Sequence, residues 1–294
     1  MDKGTKAADR SVNVIEKRLR RIYQAAYNEV KQELTNYAKR FKTHDAQMQK
    51  LKQDGKISED DYANWKRNQV FIGKAWKAKV DNVADMLLNA NKEAMRIVNG
   101  ERVNVFAENV NFISEKIGKE SRLKGQFDLY DANTVNRLIK EEPELLPRKI
   151  VNGKKDEAWN RRQISNAVTQ GIIQGDDIPT IAKRIADQTA SSNMKAMTRY
   201  ARTAMTGAQN AGRIEGLHRA QDMGIRVKKK WQAAMDRRTR HSHALLDGQE
   251  RDIDEPFNSI LGEIMYPGDP NADDPGDIYN CRCTLTYVYP DLEE

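Results

Sequence analysis

Two segments near the end of the chain decide how its last part folds, IRVKKKWQAAMDRRTRHSHALLDGQ at residues 225–249 and DIYNCRCTLTYVYP at residues 277–290. In both segments apolar and polar residues alternate with the period of a β-strand. We expect strands near 225–233 and 281–289. The two strands are predicted to pair and to carry the long polar loop 236–280 between them.

The same region concentrates side chains that bind metals. It holds both cysteines of the chain and two of its four histidines. The C-x-C spacing puts both thiols on one face of a strand, and thiolate with imidazole suits zinc. The candidate ligands are Cys281, Cys283 and His243, with Asp236, His241 or Asp247 as the fourth. The alternative interpretation is that the cysteines are small buried apolar side chains and that the histidine hydrogen-bonds the loop backbone.

A further set of residues is predicted to fix the loop, comprising Arg240, Asp247, Asn280 and Trp231. Arg240 could form a charge-assisted contact with Asp236 or Asp247, and Asn280 is expected to cap or bridge backbone groups. Phosphate binding by the arginines is the competing interpretation. The fourteen acidic residues between Ala234 and Glu294 favour ion pairs within the segment. We find no nucleophile elbow, phosphate loop or H-E-x-x-H helix, so no catalytic residue is assigned.

The preceding part of the chain follows the helical period of 3.6 residues. We predict a helical domain at 1–150, built around a long αα-hairpin at about 13–98 and preceded by a disordered start at 1–12. Asn99 and Gly100 are expected to end the second long helix.

A second domain is predicted at 157–294, after a boundary rich in proline and glycine. Its helices are expected over 157–223, followed by the two strands. The predicted fold class is therefore mainly α with a small antiparallel β element, an α+β arrangement with a long irregular loop.

Charge is distributed unevenly along the chain. The net charge is +7, but residues 1–233 carry 45 basic and 29 acidic groups, or +16, whereas the remaining segment carries −9. A basic body suggests contact with a polyanion, while a solvated helical surface is the competing explanation. The candidate DNA contacts are Lys228, Lys229, Lys230 and Arg202.

The sequence also bears on where the chain works. It contains no apolar run as long as a membrane span, and its start lacks the apolar core of a signal peptide. We therefore expect a protein made in the cytosol, with reduced thiols and no membrane partner.

An ordered set of motifs resembles a known family: R-T-A-M-T-G-A-Q-N-A-G-R at 202–213, K-K-W at 229–231, D-R-R-T-R-H-S-H-A-L-L-D-G at 236–248, P-G-D-P at 267–270 and N-C-R-C at 280–283. Over about 157–290 the chain resembles the Mu-F-like minor head proteins of tailed phages. Members of this family often carry an acidic residue after the Arg-Thr pair, whereas this chain has Ala204.

The resemblance implies a minor capsid protein that acts in head morphogenesis. We therefore expect docking at the portal or the inner capsid, and non-specific contact with double-stranded DNA. The expected protein partners are the portal protein and the major capsid or scaffolding protein. The expected location is the virion, in the head interior or at the portal vertex, after assembly in the host cytoplasm. The alternative function is a metal-dependent hydrolase or a head-carried effector enzyme that uses the region of His243, Cys281 and Cys283.

Overall fold

The protein is described by a computed structural model that covers residues 2–69, 73–121, 127–147, 149–174 and 176–290. The helices are α1 (Lys3–Gln53), α2 (Glu59–Arg67), α3 (Lys74–Glu120), α4 (Ala132–Glu141), α5 (Gly153–Gln174), α6 (Ile178–Ala186), α7 (Ser192–Asp222) and α8 (His241–Leu246). The strands are β1 (Lys228–Gln232), β2 (Glu250–Arg251), β3 (Phe257–Ser259), β4 (Gly262–Ile264) and β5 (Thr284–Val288). The predicted fold class, mainly α with a small antiparallel sheet, is confirmed.

Two predicted helix boundaries are wrong. The first helix begins at Lys3 rather than after residue 12, because the carboxylate of Asp2 accepts a hydrogen bond from the backbone of Thr5 at 2.8 Å and caps it. The second long helix continues through Asn99 and Gly100 to Glu120. Asn99 lies inside this helix, and its side-chain amide donates to the carbonyl of Lys149 at 3.0 Å.

The described residues form two compact units that do not follow chain order. Unit one comprises Met1–Lys17, Arg96–Lys149 and Thr198–Glu294, and unit two comprises Arg18–Met95 and Ile150–Met197. Helices α1, α3 and α7 are long enough to contribute a segment to each unit. This grouping differs from the two successive domains expected at 1–150 and 157–294. Residues 291–294 of the second expected domain lie outside the described part of the chain.

The core of unit two is mainly aliphatic, and four helices supply most of it. Val30 of α1, Leu87 of α3 and Ile164 of α5 are each fully buried in one cluster, which also includes Ile185 of α6. The apolar faces of the two long helices therefore pack against other helices as well as against each other. In the same unit, Ser58 begins α2 with a capping box.

Unit one contains a three-stranded antiparallel sheet in the order β2-β1-β5. Trp231 lies opposite Leu285 in the register, and both side chains are buried. Helix α7 approaches the backbone of α3 closely, since a Cβ added to Gly212 would lie 2.4 Å from the carbonyl oxygen of Phe106. Small residues on α7 are what allow this packing.

A buried arginine connects α7 to the sheet and to the start of α1. The guanidinium of Arg213 donates to the carbonyl of Leu285 at 2.6 Å, to Asn109 Oδ1 at 3.2 Å and to Asp2 Oδ1 at 2.7 Å. These contacts explain why the first residues of the chain belong to the same unit as the last strand. None of the described helices has the length and apolar character needed to span a membrane.

Candidate metal centre

One buried cluster brings together the histidine and the two cysteines that the sequence singles out. His243 lies on α8, and both cysteines immediately precede β5. Each of the three residues is 2–3% exposed, and their potential ligand atoms lie within 4.8 Å of one another. Nδ1 of His243 is 3.5 Å from the Sγ of Cys281 and 3.5 Å from the Sγ of Cys283. The arrangement presents one imidazole nitrogen to two sulfur atoms.

The other nitrogen of the imidazole faces a carboxylate. Nε2 of His243 lies 3.3 Å from Oδ1 of Asp277, and both side chains are buried. Ser242 Oγ donates to the same oxygen at 2.8 Å and fixes its position. Asp277 ends a short 3₁₀ turn that Asp274 begins. The sequence did not single out Asp277, because it is one of fourteen acidic residues in its segment and no motif marks it.

The two thiols do not ionise alike. Their shared hydrogen bond is the largest cause of the difference, since it holds the pKa of Cys283 down to about 5 and raises that of Cys281. A hydrogen bond to His243 also lowers the pKa of Cys283. The backbone N–H of Cys283 points to Sγ of Cys281 at 3.4 Å. One sulfur is therefore readily available as a thiolate, the form that binds metals.

Apolar side chains wall the cluster. The rings of Trp231 and His243 meet edge-on, with centroids 5.5 Å apart. The ring of Phe257 also meets the Trp231 ring edge-on, with centroids 5.3 Å apart. Leu246 and Ile264 complete the same core. Burial in such surroundings limits water and strengthens electrostatic interactions within the cluster.

Asp236, which the sequence offers as a fourth ligand, lies elsewhere in the loop. Asp236 is exposed, and its carboxylate accepts hydrogen bonds from both terminal nitrogens of Arg282. These hydrogen bonds lower the pKa of Asp236 well below the ordinary value. The backbone of Arg238 also donates to it at 2.8 Å. Asp236 therefore closes the start of the loop by an ion pair.

Arg240 does not pair with an aspartate as expected. Its guanidinium donates to the backbone carbonyl of Tyr279. Asp236 is engaged by another arginine, and Asp247 accepts the backbone N–H of Ala233 at 2.7 Å. The prediction was wrong about the acceptor because several acidic groups compete within the segment.

Asn280 lies just before the C-x-C segment that leads into β5, in a left-handed backbone conformation with φ of 55°. Asparagine tolerates this conformation better than most residues. Its backbone N–H donates to Thr203 Oγ1 of α7 at 3.0 Å. The contact links the loop end to the helix.

The motif at residues 202–213 of α7 forms hydrogen bonds to the cysteine-bearing segment and to β5. Thr206 Oγ1 donates to the carbonyl of Cys281 at 2.9 Å, and Asn210 Oδ1 accepts from the backbone of Leu285 at 2.8 Å. Asn210 Nδ2 also donates to the carbonyl of Pro267 at 3.0 Å. The separated motifs of the sequence therefore form one hydrogen-bonded structure in unit one.

The basic residues offered as DNA contacts have other partners. Lys229 is fully buried, and its ammonium group donates to the carbonyl of Met265 at 3.0 Å, so it presents no charge at the surface. Lys228 and Lys230 form ion pairs with Asp252 and Glu250 of unit one. Arg202 is half exposed and pairs with Glu16.

The burial of Lys229 follows from its register. It has the same parity as Trp231 along β1, so its side chain points inward.

Comparison with known proteins relates this region to phage proteins. Residues 162–286 match the family described as phage Mu protein F like protein. Minor head protein GP7 of Bacillus phage SPP1 is 34% identical over 164 residues, which cover 55% of this chain and 51% of that protein. No solved structure matches the chain.

Two bacterial proteins are also similar. A protein of Enterococcus faecalis named NAD(+)--arginine ADP-ribosyltransferase EFV is 35% identical over 131 residues, covering 43% of this chain and 26% of that protein. An uncharacterized protein of Haemophilus influenzae is 30% identical over 132 residues, covering 45% and 26%. The matches thus span from about a quarter to about half of the relatives' own lengths. Residues 162–286 are therefore similar to the phage Mu protein F like family, and the chain is similar to a phage minor head protein over 164 residues.

Proposed function

We propose that the chain is a minor head protein that docks at the portal or the inner capsid and contacts packaged DNA. The observation that carries the proposal is the 34% identity to a minor head protein over 55% of the chain. Under this proposal its partners are the portal protein, the major capsid or scaffolding protein and double-stranded DNA. Its site of action is the head interior or the portal vertex, after assembly in the host cytoplasm.

Docking is assigned to the long helices within residues 13–98. Helix α1 buries one apolar stripe in the cores of the two units and exposes Lys39, Lys42 and other charged residues on its opposite face. An exposed basic helical face can form ion pairs with acidic groups of a partner protein, and these ion pairs leave the buried core unchanged.

The docking test changes surface charge rather than removing residues, because Asp2 and Gly4 contact α3 and α7 inside unit one. The variant Lys39→Glu with Lys42→Glu is compared with Lys154→Glu and Lys155→Glu, an equal charge change at exposed positions of α5. Quantitative mass spectrometry of purified heads is expected to show loss of the α1 variant and normal copy number of the control. Equal incorporation of both would refute docking through α1.

DNA contact is assigned to exposed arginines of the basic body, since the four residues that the sequence suggests are paired or buried. Arg20 and Arg21 are exposed on α1. Binding through phosphates should lack sequence preference and should weaken steeply as salt rises.

Fluorescence anisotropy with a random duplex tests the DNA contact. Replacing Arg20 and Arg21 by Gln should reduce the slope of log K against log salt by about 0.9 for each phosphate that is no longer neutralised. The matched control replaces Arg237 and Arg238, two exposed arginines within the acidic segment, and should leave the slope unchanged. Absence of binding by the unaltered protein at low salt would refute DNA contact while leaving incorporation into heads to be judged separately.

A further inference from the structure

We propose that His243, Cys281 and Cys283 bind one zinc ion, and that Asp277 is the positioning residue that turns Nδ1 of His243 toward the metal. This inference goes beyond the proposed role in the head and does not rest on it. It stands on the geometry, burial and charge of the cluster.

The distances fit a tetrahedral site. With Zn–S near 2.3 Å and Zn–N near 2.0–2.1 Å, adjacent sulfur and nitrogen ligands of a tetrahedron lie about 3.5 Å apart. Nδ1 of His243 is 3.5 Å from Sγ of Cys281 and 3.5 Å from Sγ of Cys283. Both nitrogen–sulfur distances therefore match those of a tetrahedral site, and the two sulfurs lie within 4.8 Å of each other.

Hydrogen bonding would leave the two sulfurs to share one nitrogen. A single imidazole nitrogen has either one proton or one lone pair, so its two contacts would be the halves of one three-centre bond. Here Nδ1 is equally far from two sulfurs. A metal ion placed between the three atoms satisfies both thiolates and the nitrogen at once.

The environment of Nε2 selects the required tautomer. Nε2 of His243 is buried and lies 3.3 Å from the carboxylate of Asp277, but it forms no well-aligned hydrogen bond with any described residue. A proton on Nε2 faces the carboxylate and leaves the lone pair on Nδ1, directed at the sulfurs. Ser242 holds Asp277 in place at 2.8 Å. A carboxylate behind a ligating histidine is a common feature of zinc sites.

Charge balance also favours zinc. Two thiolates and a neutral imidazole cancel the charge of a divalent cation, which suits residues that are only 2–3% exposed. In the described part of the chain no further histidine, cysteine or acidic side chain joins the group. The chain thus supplies three ligands of a tetrahedral site. Burial denies a substrate access to the thiols, so the ion would serve to fix the loop that ends at the C-x-C segment before β5.

The test uses the reduced full-length chain and zinc alone as the probe. Metal analysis after dialysis is expected to give about one zinc per chain, and cobalt substitution should give the visible spectrum of a tetrahedral site with sulfur ligands. The matched pair of variants is His243→Ala and His241→Ala, which remove a buried and an exposed histidine two residues apart. Only the first should abolish binding.

Asp277→Asn separates positioning from ligation. It is expected to keep the stoichiometry and the cobalt spectrum but to weaken zinc binding by about 10–100-fold. An unchanged affinity in this variant would overturn the role given to Asp277.

A wild-type titration keeps the proposal testable if His243→Ala does not fold. Zinc should raise the Tm and protect both cysteines from alkylation, and a chelator should reverse both effects. A reduced wild-type protein that binds no zinc would overturn the proposal, and so would a folded His243→Ala variant that binds it as tightly as the wild type.

Discussion

The two compact units are stabilised by different kinds of contact. The cluster that fills unit two is mainly aliphatic, with residues such as Leu87 and Ile164 packed from several helices. Unit one buries many polar side chains, among them Arg213, Asn210 and Lys229. In an aliphatic core the cost of a substitution grows with the volume removed. In a polar core it depends on how many partners are left unsatisfied.

The largest expected effect tests the polar side of this contrast. Arg213→Ala should destabilise unit one by about 3–5 kcal/mol, because it leaves the buried acceptors of Asn109 and Leu285 and the partly exposed carboxylate of Asp2 without a donor. Amide hydrogen exchange, read separately in the two units, measures the effect. The control Arg202→Ala removes a half-exposed guanidinium that pairs with Glu16 and should cost about 1 kcal/mol or less. Equal losses of stability in the two variants would show that the buried hydrogen bonds of Arg213 contribute no more than a surface ion pair.

The aliphatic side is tested next. Leu87→Ala should cost about 2–5 kcal/mol, and Ile164→Val about 0.5–1.5 kcal/mol, because both residues are fully buried and the larger truncation leaves the larger cavity. Urea unfolding combined with hydrogen exchange should place both losses in unit two. A cost that does not follow the volume removed would show that this core is not governed by packing.

A pH-dependent effect sharpens the comparison within unit one. Burial lowers the pKa of Lys229 to about 8. Its folded pKa is therefore below its unfolded value of 10.5, and between these values the unfolded chain binds more protons. The penalty of roughly 3 kcal/mol is present in full below pH 8 and is relieved as pH rises.

The measurement compares urea unfolding of the wild type and Lys229→Met from pH 7 to pH 10. Relative to the variant, the wild type should gain about 2 kcal/mol over this range. Lys230→Met, which removes a half-buried lysine paired with Glu250, should lack this gain. A constant difference between wild type and Lys229→Met would mean that Lys229 does not lose its proton in the folded protein over this range.

The smallest effect concerns a helix end of unit two. Ser58→Ala removes the side chain that accepts from the backbone of Asp61 at 3.0 Å. The expected cost is about 1 kcal/mol, confined to faster hydrogen exchange at the start of α2. Ser165→Ala, at an exposed position within α5, serves as the control and should not speed exchange there. A global loss of stability from Ser58→Ala would show that α2 is more strongly coupled to the core than its position suggests.

The sequence predicts elements better than it predicts partners. Alternation around Trp231 and Leu285 places two strands that indeed pair in register. The C-x-C spacing puts both thiols on one face, since side chains alternate along an extended backbone. By contrast, Gly100 is a local stop signal that the surrounding helix overrides, because tertiary packing outweighs a weak propensity.

Periodic and local features could therefore be predicted from the residues alone: the helical class, the antiparallel strands and the three side chains of the proposed zinc site. Three features depend on the folded chain, namely which acidic residue lies behind His243, which carbonyl Arg240 contacts and which environment surrounds Lys229. A period fixes which face a side chain occupies, whereas the partner of a charged group depends on distances between segments far apart in the chain. Fourteen acidic residues are equivalent in the sequence of the last segment, and folding brings Asp277 beside the imidazole.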